Sequence, residues 1–401
     1  MDDFYIKIGN ERIRIDKTIF VTLLDLSPIK QYVSYKDAVL ANEISLVKLK
    51  DLAAKANVPY PLFFAKKEKV IKQLKDKEKN LFDKLPTKTE AQVGARGNMK
   101  TSDIELIVKD LARKQEFLKT RILQTEPDNA FIGHIAKMVK TGVSDVKVAE
   151  KVREYFEIDL AELRGLSKAK VIGYLCGKAE NKNILVSISS YNFMPQNIQR
   201  EVQVSGICVK DKKFPFIFIN TRDGDEEPLI LESEGRQIFS IISMMVCIGM
   251  NKFILNMKSG KTKDESLKKV YALTAEILIP AADLNGVKIN NIDDLKQQAQ
   301  FFKVTPSMLL VRLKELRLIS KPVADACRDK LINEIKNAQS SPKHQPSLVN
   351  GYGKYNGHKF SQEVVRAYAS GKISHDEVKN VLFRKGKMDT LLFQQYYNQF
   401  K

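Results

Sequence analysis

Gly235-Arg236-Gln237-Ile238-Phe239-Ser240-Ile241-Ile242-Ser243-Met244-Met245-Val246-Cys247-Ile248-Gly249-Met250 is the stretch on which the fold of this 401-residue chain turns. From Ile238 to Ile248 only Ser240 and Ser243 interrupt an apolar run. A segment of that kind reads as a helix buried in a core. It is too short to span a bilayer, which takes about 20 apolar residues. Ser243 and Cys247 stand four apart and so share one helical face, with Met244 beside them.

Around this helix the sequence predicts a small sheet. Asn183–Ile188, Gly206–Val209 and Phe214–Asn220 are rich in β-branched residues and read as strands. Packed against 236–250 they form one layer of an α+β fold that is otherwise mostly helical. Helices are expected at 101–123, where Gly94-Ala95-Arg96-Gly97 would be a turn and Thr101 or Ser102 the cap, and at 129–140 and 145–157. Another is expected from Leu160 to Lys178, broken and recapped by Leu163-Arg164-Gly165-Leu166-Ser167. Near the start, Phe4–Ile8 looks like a strand, and Leu46, Leu49, Leu52 and Ala53 line a helix with Ser45 as its N-cap.

Several stretches together resemble the ImmA/IrrE-family metallopeptidases. Phe214-Pro215-Phe216-Ile217-Phe218-Ile219-Asn220 followed by Asp223 is similar to the family's P-x-I-F-I-N…D strand and turn. Arg113-Lys114-Gln115-Glu116-Phe117-Leu118 is similar to its R-Q-x-W-L-R helix, and Ala275-Glu276-Ile277-Leu278-Ile279-Pro280 to its A-E-x-L-M-P helix end. The lead-in Phe239-Ser240-Ile241-Ile242 resembles the approach to the H-E-x-x-H helix. The likeness runs through scattered motifs over residues 44–385. It implies a zincin-like scaffold whose ligand positions fall on Ser243 and Cys247, its general base on Met244 and its third ligand on Lys269. Such a site needs about three protein ligands, an open position and a base, and these residues supply none of that set. The resemblance therefore implies a pseudoenzyme with no catalytic residue, no metal and no cofactor.

Charge is the strongest global signal. Lys and Arg number 67 against 48 Asp and Glu, a net of +19. Residues 64–122 carry a net of +7 and residues 312–401 a net of +9, so these two windows hold most of the excess. That footprint favours an anionic partner, nucleic acid before others and DNA before RNA. Residues 291–316 read as a helix-turn-helix: a helix from Asn291 to Phe302, a turn over Lys303-Val304-Thr305, and a second helix capped by Thr305 with Pro306 in its first position. Ala299, Val304 and Leu309 or Leu310 would fill the space between the helices, leaving Ser307, Met308 and Val311 outward. The tail Gly351-Tyr352-Gly353-Lys354-Tyr355-Asn356-Gly357-His358-Lys359-Phe360 interleaves aromatic and basic residues, as either a phosphate-gripping, base-stacking segment or a packed loop. The nucleic-acid-binding candidates are Arg312, Lys314, Lys354, Tyr355, Lys359, Arg384 and Lys385.

The expected organisation is a helix-turn-helix-like unit over 1–64, a basic helical linker over 65–125, a zincin-like pseudopeptidase core over 126–290, a helix-turn-helix subdomain over 291–338, and a basic helical unit over 339–401 opened by the polar linker 339–347. Four scattered cysteines without a C-x-x-C pair suit reduced core thiols. With no apolar N-terminal h-region and no membrane-length run, a cytoplasmic protein is expected. Two function classes follow. One is a regulatory or interaction protein: a transcriptional regulator, an antitoxin-like factor or a phage-defence component of a mobile element, with room for a protein partner in the vacant cleft. The other is a peptidase or other hydrolase with a displaced active site. The oligomeric state is not written in the chain.

Overall fold

A computed structural model describes residues 3–25, 29, 32–56, 58–72, 104–198, 204–221, 233–252, 255–257, 265–337, 346–383 and 389–401. Asp223, the 94–97 turn, the Thr101 and Ser102 caps, most of the 339–347 linker, Arg384 and Lys385 lie outside the described residues. The fold is α+β and mostly helical, with one three-stranded and one four-stranded sheet.

The N-terminal residues form a small core of their own. Strand β1 (Asp3–Ile8) pairs antiparallel with β2 (Glu11–Asp16) and parallel with β3 (Glu43–Ser45). Helices α1 (Lys17–Asp25) and α2 (Val33–Ala41) intervene, and α3 (Leu46–Lys55) follows directly on β3. The Ser45 hydroxyl accepts the Lys48 backbone N–H and caps α3 as expected. Phe4, Phe20 and Phe63 are buried together, with Phe4 and Phe20 stacked at 4.1 Å. The unit expected to be helix-turn-helix-like thus carries a sheet beneath its helices, because Glu11–Asp16 hydrogen-bonds back along β1 after a turn at Gly9 (φ 58).

The second sheet holds the rest together. Its order is β4-β6-β5-β7, with β4 (Leu185–Ile188) parallel to β6 (Phe216–Ile219), and β5 (Val204–Val209) antiparallel to both β6 and β7 (Leu255–Met257). Successive strand side chains point to opposite faces, and here both faces are covered. Val186, Cys208, Ile217 and Ile219 enter one core, while Leu185, Ile207, Val209, Phe216 and Phe218 enter a second.

The first core is built by α5 (His134–Lys140), α6 (Asp145–Phe156), α7 (Leu160–Gly165), α8 (Lys168–Asn181), α9 (Glu234–Gly249) and α10 (Glu265–Leu278), with α11 (Ile292–Phe301), α12 (Pro306–Glu315) and α13 (Lys321–Asn337). The expected break inside 160–178 falls between α7 and α8, where the Ser167 hydroxyl caps α8. The second core joins α4 (Glu105–Phe117) to α14 (Leu348–Asn356), α15 (His358–Ala369), the short α16 (His375–Val378) and α17 (Thr390–Phe400). Ser374 and Glu377 form a capping box at α16. The C-terminal helices, from Leu348 onward, cover the second face of this sheet.

Candidate functional site

Helix α9 carries the stretch that opened the sequence reading. Ile238, Ile241, Ile242, Met244, Met245, Val246 and Ile248 are all buried, and each such side chain contributes roughly 1.5–3 kcal/mol of burial. Glu234 in the first turn complements the helix dipole. The helix ends where Asn251 turns left-handed (φ 54) and the Lys252 N–H reaches the Cys247 carbonyl at 2.7 Å. It packs against α8, α10, β5 and β6.

The four positions matched to peptidase chemistry do not converge on a metal. Ser243 is buried, and its Oγ has no hydrogen-bond partner among the described residues. Cys247 is fully buried, and that burial pushes its thiol well above the usual range. Met244 turns toward the sheet: Cys208 Sγ lies 3.3 Å from its Sδ. Lys269, on α10, forms an ion pair with Asp145 at the start of α6. Tyr271 lies on the face that Ser243 and Cys247 share with Phe239. Its ring is 6.0 Å from Phe239, and burial, with the Cys247 thiol adding to it, pushes its phenol up to about 12. A phenol thus flanks the face on which two ligands and an open position would have to meet. These residues do not fit a zinc ion. Among the described residues no three His, Cys, Asp or Glu side chains group so as to hold one.

Residues 291–316 hold two helices, α11 and α12, joined by a short turn. Asn291 caps α11 through the Asp293 and Asp294 N–H groups, and Thr305 caps α12 through Met308. Ala299, Val304, Leu309 and Leu310 are buried in the first core, and Ser307 and Val311 are exposed, but Met308, expected outward, is half-buried against that core. Arg312 requires a correction. It is buried, ion-paired with Glu276 and hydrogen-bonded to the Ile279 carbonyl, so its charge is spent inside the molecule. Lys314 is exposed, followed by the exposed Arg317 and Lys321. The turn is held from below: Lys168 Nζ donates to the Val304 carbonyl at 3.0 Å, and a Cβ on Gly235 would sit 2.7 Å from the Val304 backbone.

The aromatic–basic tail is packed rather than an open grip: it ends α14 at Asn356, turns at Gly357 (φ 85) and opens α15. Gly351 and Gly353 leave no room for a Cβ against Phe193 and Phe400. Tyr355 also requires a correction: it is buried, its hydroxyl donates to Asp110 Oδ2 at 2.8 Å, and Lys114 Nζ lies 4.1 Å above its ring. No nucleobase can stack there. Lys354 and Lys359 are half-buried; Lys354 Nζ donates to Thr221 Oγ1 at 3.4 Å, and Lys359 Nζ to Asn183 Oδ1 at 2.6 Å.

The sequence reading missed a polar cluster at the carboxyl ends of the parallel strands β4 and β6. Ser189 Oγ and Thr221 Oγ1 lie 2.8 Å apart, and Ser189 Oγ also accepts the Thr221 N–H at 2.8 Å. Ser190 follows, buried, with no hydrogen-bond partner for Oγ among the described residues. Asn220 ties β6 to β5 by donating to the Val204 carbonyl. The only sequence signal was a run of hydroxyl and amide residues just past two apolar strands.

No protein-family model, curated protein or solved structure matches this chain. No helix among the described residues is long and apolar enough to cross a membrane.

Proposed function

We propose that this chain is a catalytically silent, ImmA/IrrE-like, zincin-type scaffold that acts as a regulatory or interaction protein and holds nucleic acid, DNA foremost, through phosphate contacts. The observation that carries this reading is the face of α9, where Ser243 and Cys247 are buried beside Tyr271 while Met244 faces Cys208. A hydrolytic zinc centre needs a water-bearing position with a general base beside it, and this packing offers neither. Binding then falls to the surface. Lys314, Arg317 and Lys321 stand exposed at the end of α12 and beyond it, in a chain of net charge +19. Exposed cations without base-reading partners suit phosphate contacts that position rather than specify. A regulator, an antitoxin-like factor or a phage-defence component would use such a grip on nucleic acid, with a protein partner engaged separately.

Elemental analysis of the purified chain tests the first half, with no stoichiometric zinc expected. About one zinc per chain, lost in Cys247→Ala, would overturn it. Gel shifts on duplex and single strands at low salt test the second half, with binding expected to both. Absence of binding removes the nucleic-acid reading.

A further inference from the structure

Strand β2 (Glu11–Asp16) is the edge of the N-terminal sheet, whose order is β2-β1-β3, so among the described residues it has a neighbour on one side only. An edge strand presents a row of unpaired backbone N–H and C=O groups, a template for another strand, and proteins blunt such edges with prolines, bulges or a cover. Strand β2 holds no proline, pairs with β1 in unbroken register from Asp3↔Asp16 to Ile8↔Glu11, and leaves Glu11, Arg12, Ile13 and Arg14 exposed. Its two faces differ. Ile13 lies opposite Ile6, and Ile15 opposite Phe4, on the side that carries the core of this unit. Phe4 and Ile6 are 0% exposed and Ile15 is 8% exposed, yet Ile13 is 37% exposed. The cover stops short of the outermost strand. On the other face Arg12 and Arg14 form ion pairs with Glu43 and Asp3, so neither brings an unmatched charge to the edge.

The charge of the unit argues for a protein neighbour. Residues 1–64 hold 9 Lys and Arg against 8 Asp and Glu, so almost none of the +19 excess lies here to draw an anion. A second copy fits this edge. Antiparallel pairing about a two-fold axis leaves the apolar sides of both sheets on the same side, with odd-numbered residues opposite odd and even opposite even. With the axis at Arg14, each Ile13 meets the other copy's Ile15 and each Arg12 meets the other copy's Asp16. Apolar then lies against apolar and base against acid, the cross-strand pairs that stabilise a sheet. Asp16 also accepts the Thr18 N–H and pairs with Lys67, so it contributes the sign of its charge rather than a new bond.

We infer that β2 pairs antiparallel with β2 of a second copy of this chain, about a two-fold axis at Arg14, joining two three-stranded sheets into one of six strands. The pairing does not rest on the nucleic-acid reading.

Sedimentation of the nuclease-treated full chain at about 0.15 M salt, where a Debye length of about 8 Å damps repulsion between two cationic copies, should show a monomer–dimer equilibrium across micromolar concentrations. Ile13→Lys places an inward charge of the kind that blocks edge pairing, and should weaken dimerisation by about tenfold or more. Its unfolding temperature reports whether the fold survives. Arg14→Cys tests the axis independently of that variant. It gives up only the exposed ion pair with Asp3 and sets two thiols opposite each other, with Cβ atoms about 5 Å apart, so mild oxidation should link two copies. Arg12→Cys sets its thiols roughly 14 Å apart and should not link. The wild-type chain, whose four cysteines are buried or half-buried, should not link either. A chain monomeric at every concentration overturns the pairing. A dimer that a folded Ile13→Lys leaves at wild-type strength, or that Arg14→Cys links no better than Arg12→Cys, overturns it as well and places the contact elsewhere.

Discussion

Met244 touches Cys208 and lies against the backbone of Gly206 in β5, so a carboxylate at this position would be buried against a thiol and a glycine. Placing a glutamate at the base position that the peptidase resemblance implies, by Met244→Glu, should destabilise the chain by about 3–5 kcal/mol, the cost of a buried charge without compensation. Met244→Leu should cost less than about 1.5 kcal/mol. Urea unfolding of the two variants measures the difference, and a Met244→Glu chain as stable as wild type would mean that the helix face is turned otherwise. Glu180 gives a second residue-scale expectation. Burial pushes its carboxyl up to about 7, against the opposing pull of the Lys359, Val186 and His358 N–H groups. The folded state therefore holds this proton more tightly than the unfolded chain does. The resulting stability is fully present below about pH 4.5, the ordinary value, and is lost as pH rises through 7. Glu180→Gln should raise the unfolding temperature at pH 8 relative to wild type and flatten the decline between pH 5 and 8. Parallel wild-type and variant melting curves across that range would contradict this.

At the scale of elements, α11 and α12 show how far local signals reach. Their caps, Asn291 and Thr305, and the buried Ala299, Val304 and Leu309 were legible because N-cap chemistry and helical period are written within a few residues. Strands β4, β5 and β6 were legible to within about two residues from their β-branched content, which is equally local. Strand β7 spans only Leu255–Met257, too few residues for a pattern. Strand β2 was missed although Ile13 and Ile15 alternate with charged residues after Gly9. The sites were less legible than the elements, because partners come from far along the chain. Arg312 reads as a surface cation until Glu276, on α10, is placed beside it. Ser189 and Thr221 meet only through the parallel pairing of β4 with β6. These placements separate two neighbouring cations on one helix. Arg312→Ala should cost about 3–5 kcal/mol by leaving Glu276 buried without its partner, yet leave nucleic-acid affinity per folded molecule unchanged. Lys314→Ala should spare stability and weaken binding. Paired unfolding and gel-shift measurements decide it, and the reverse pattern would place the interface on the other side of α12.

For the whole molecule, binding through exposed cations should be strongly salt-dependent. If about six to ten phosphates are neutralised, affinity should fall by about 10³–10⁵ between 50 and 200 mM salt. Tight binding to one operator that barely changes over that range would mean a sequence-reading surface instead. The second sheet has a consequence of another kind. Leu185, Ile207, Phe216 and Phe218 are covered by α4 together with helices that begin only at Leu348, more than a hundred residues later. At about 5–20 residues per second on the ribosome, one side of the sheet waits several seconds for its cover after its strands have been made. During that interval the aromatic face of a nascent chain has only α4 against it, so shielding of that face until the C-terminal helices emerge should raise the yield of native protein.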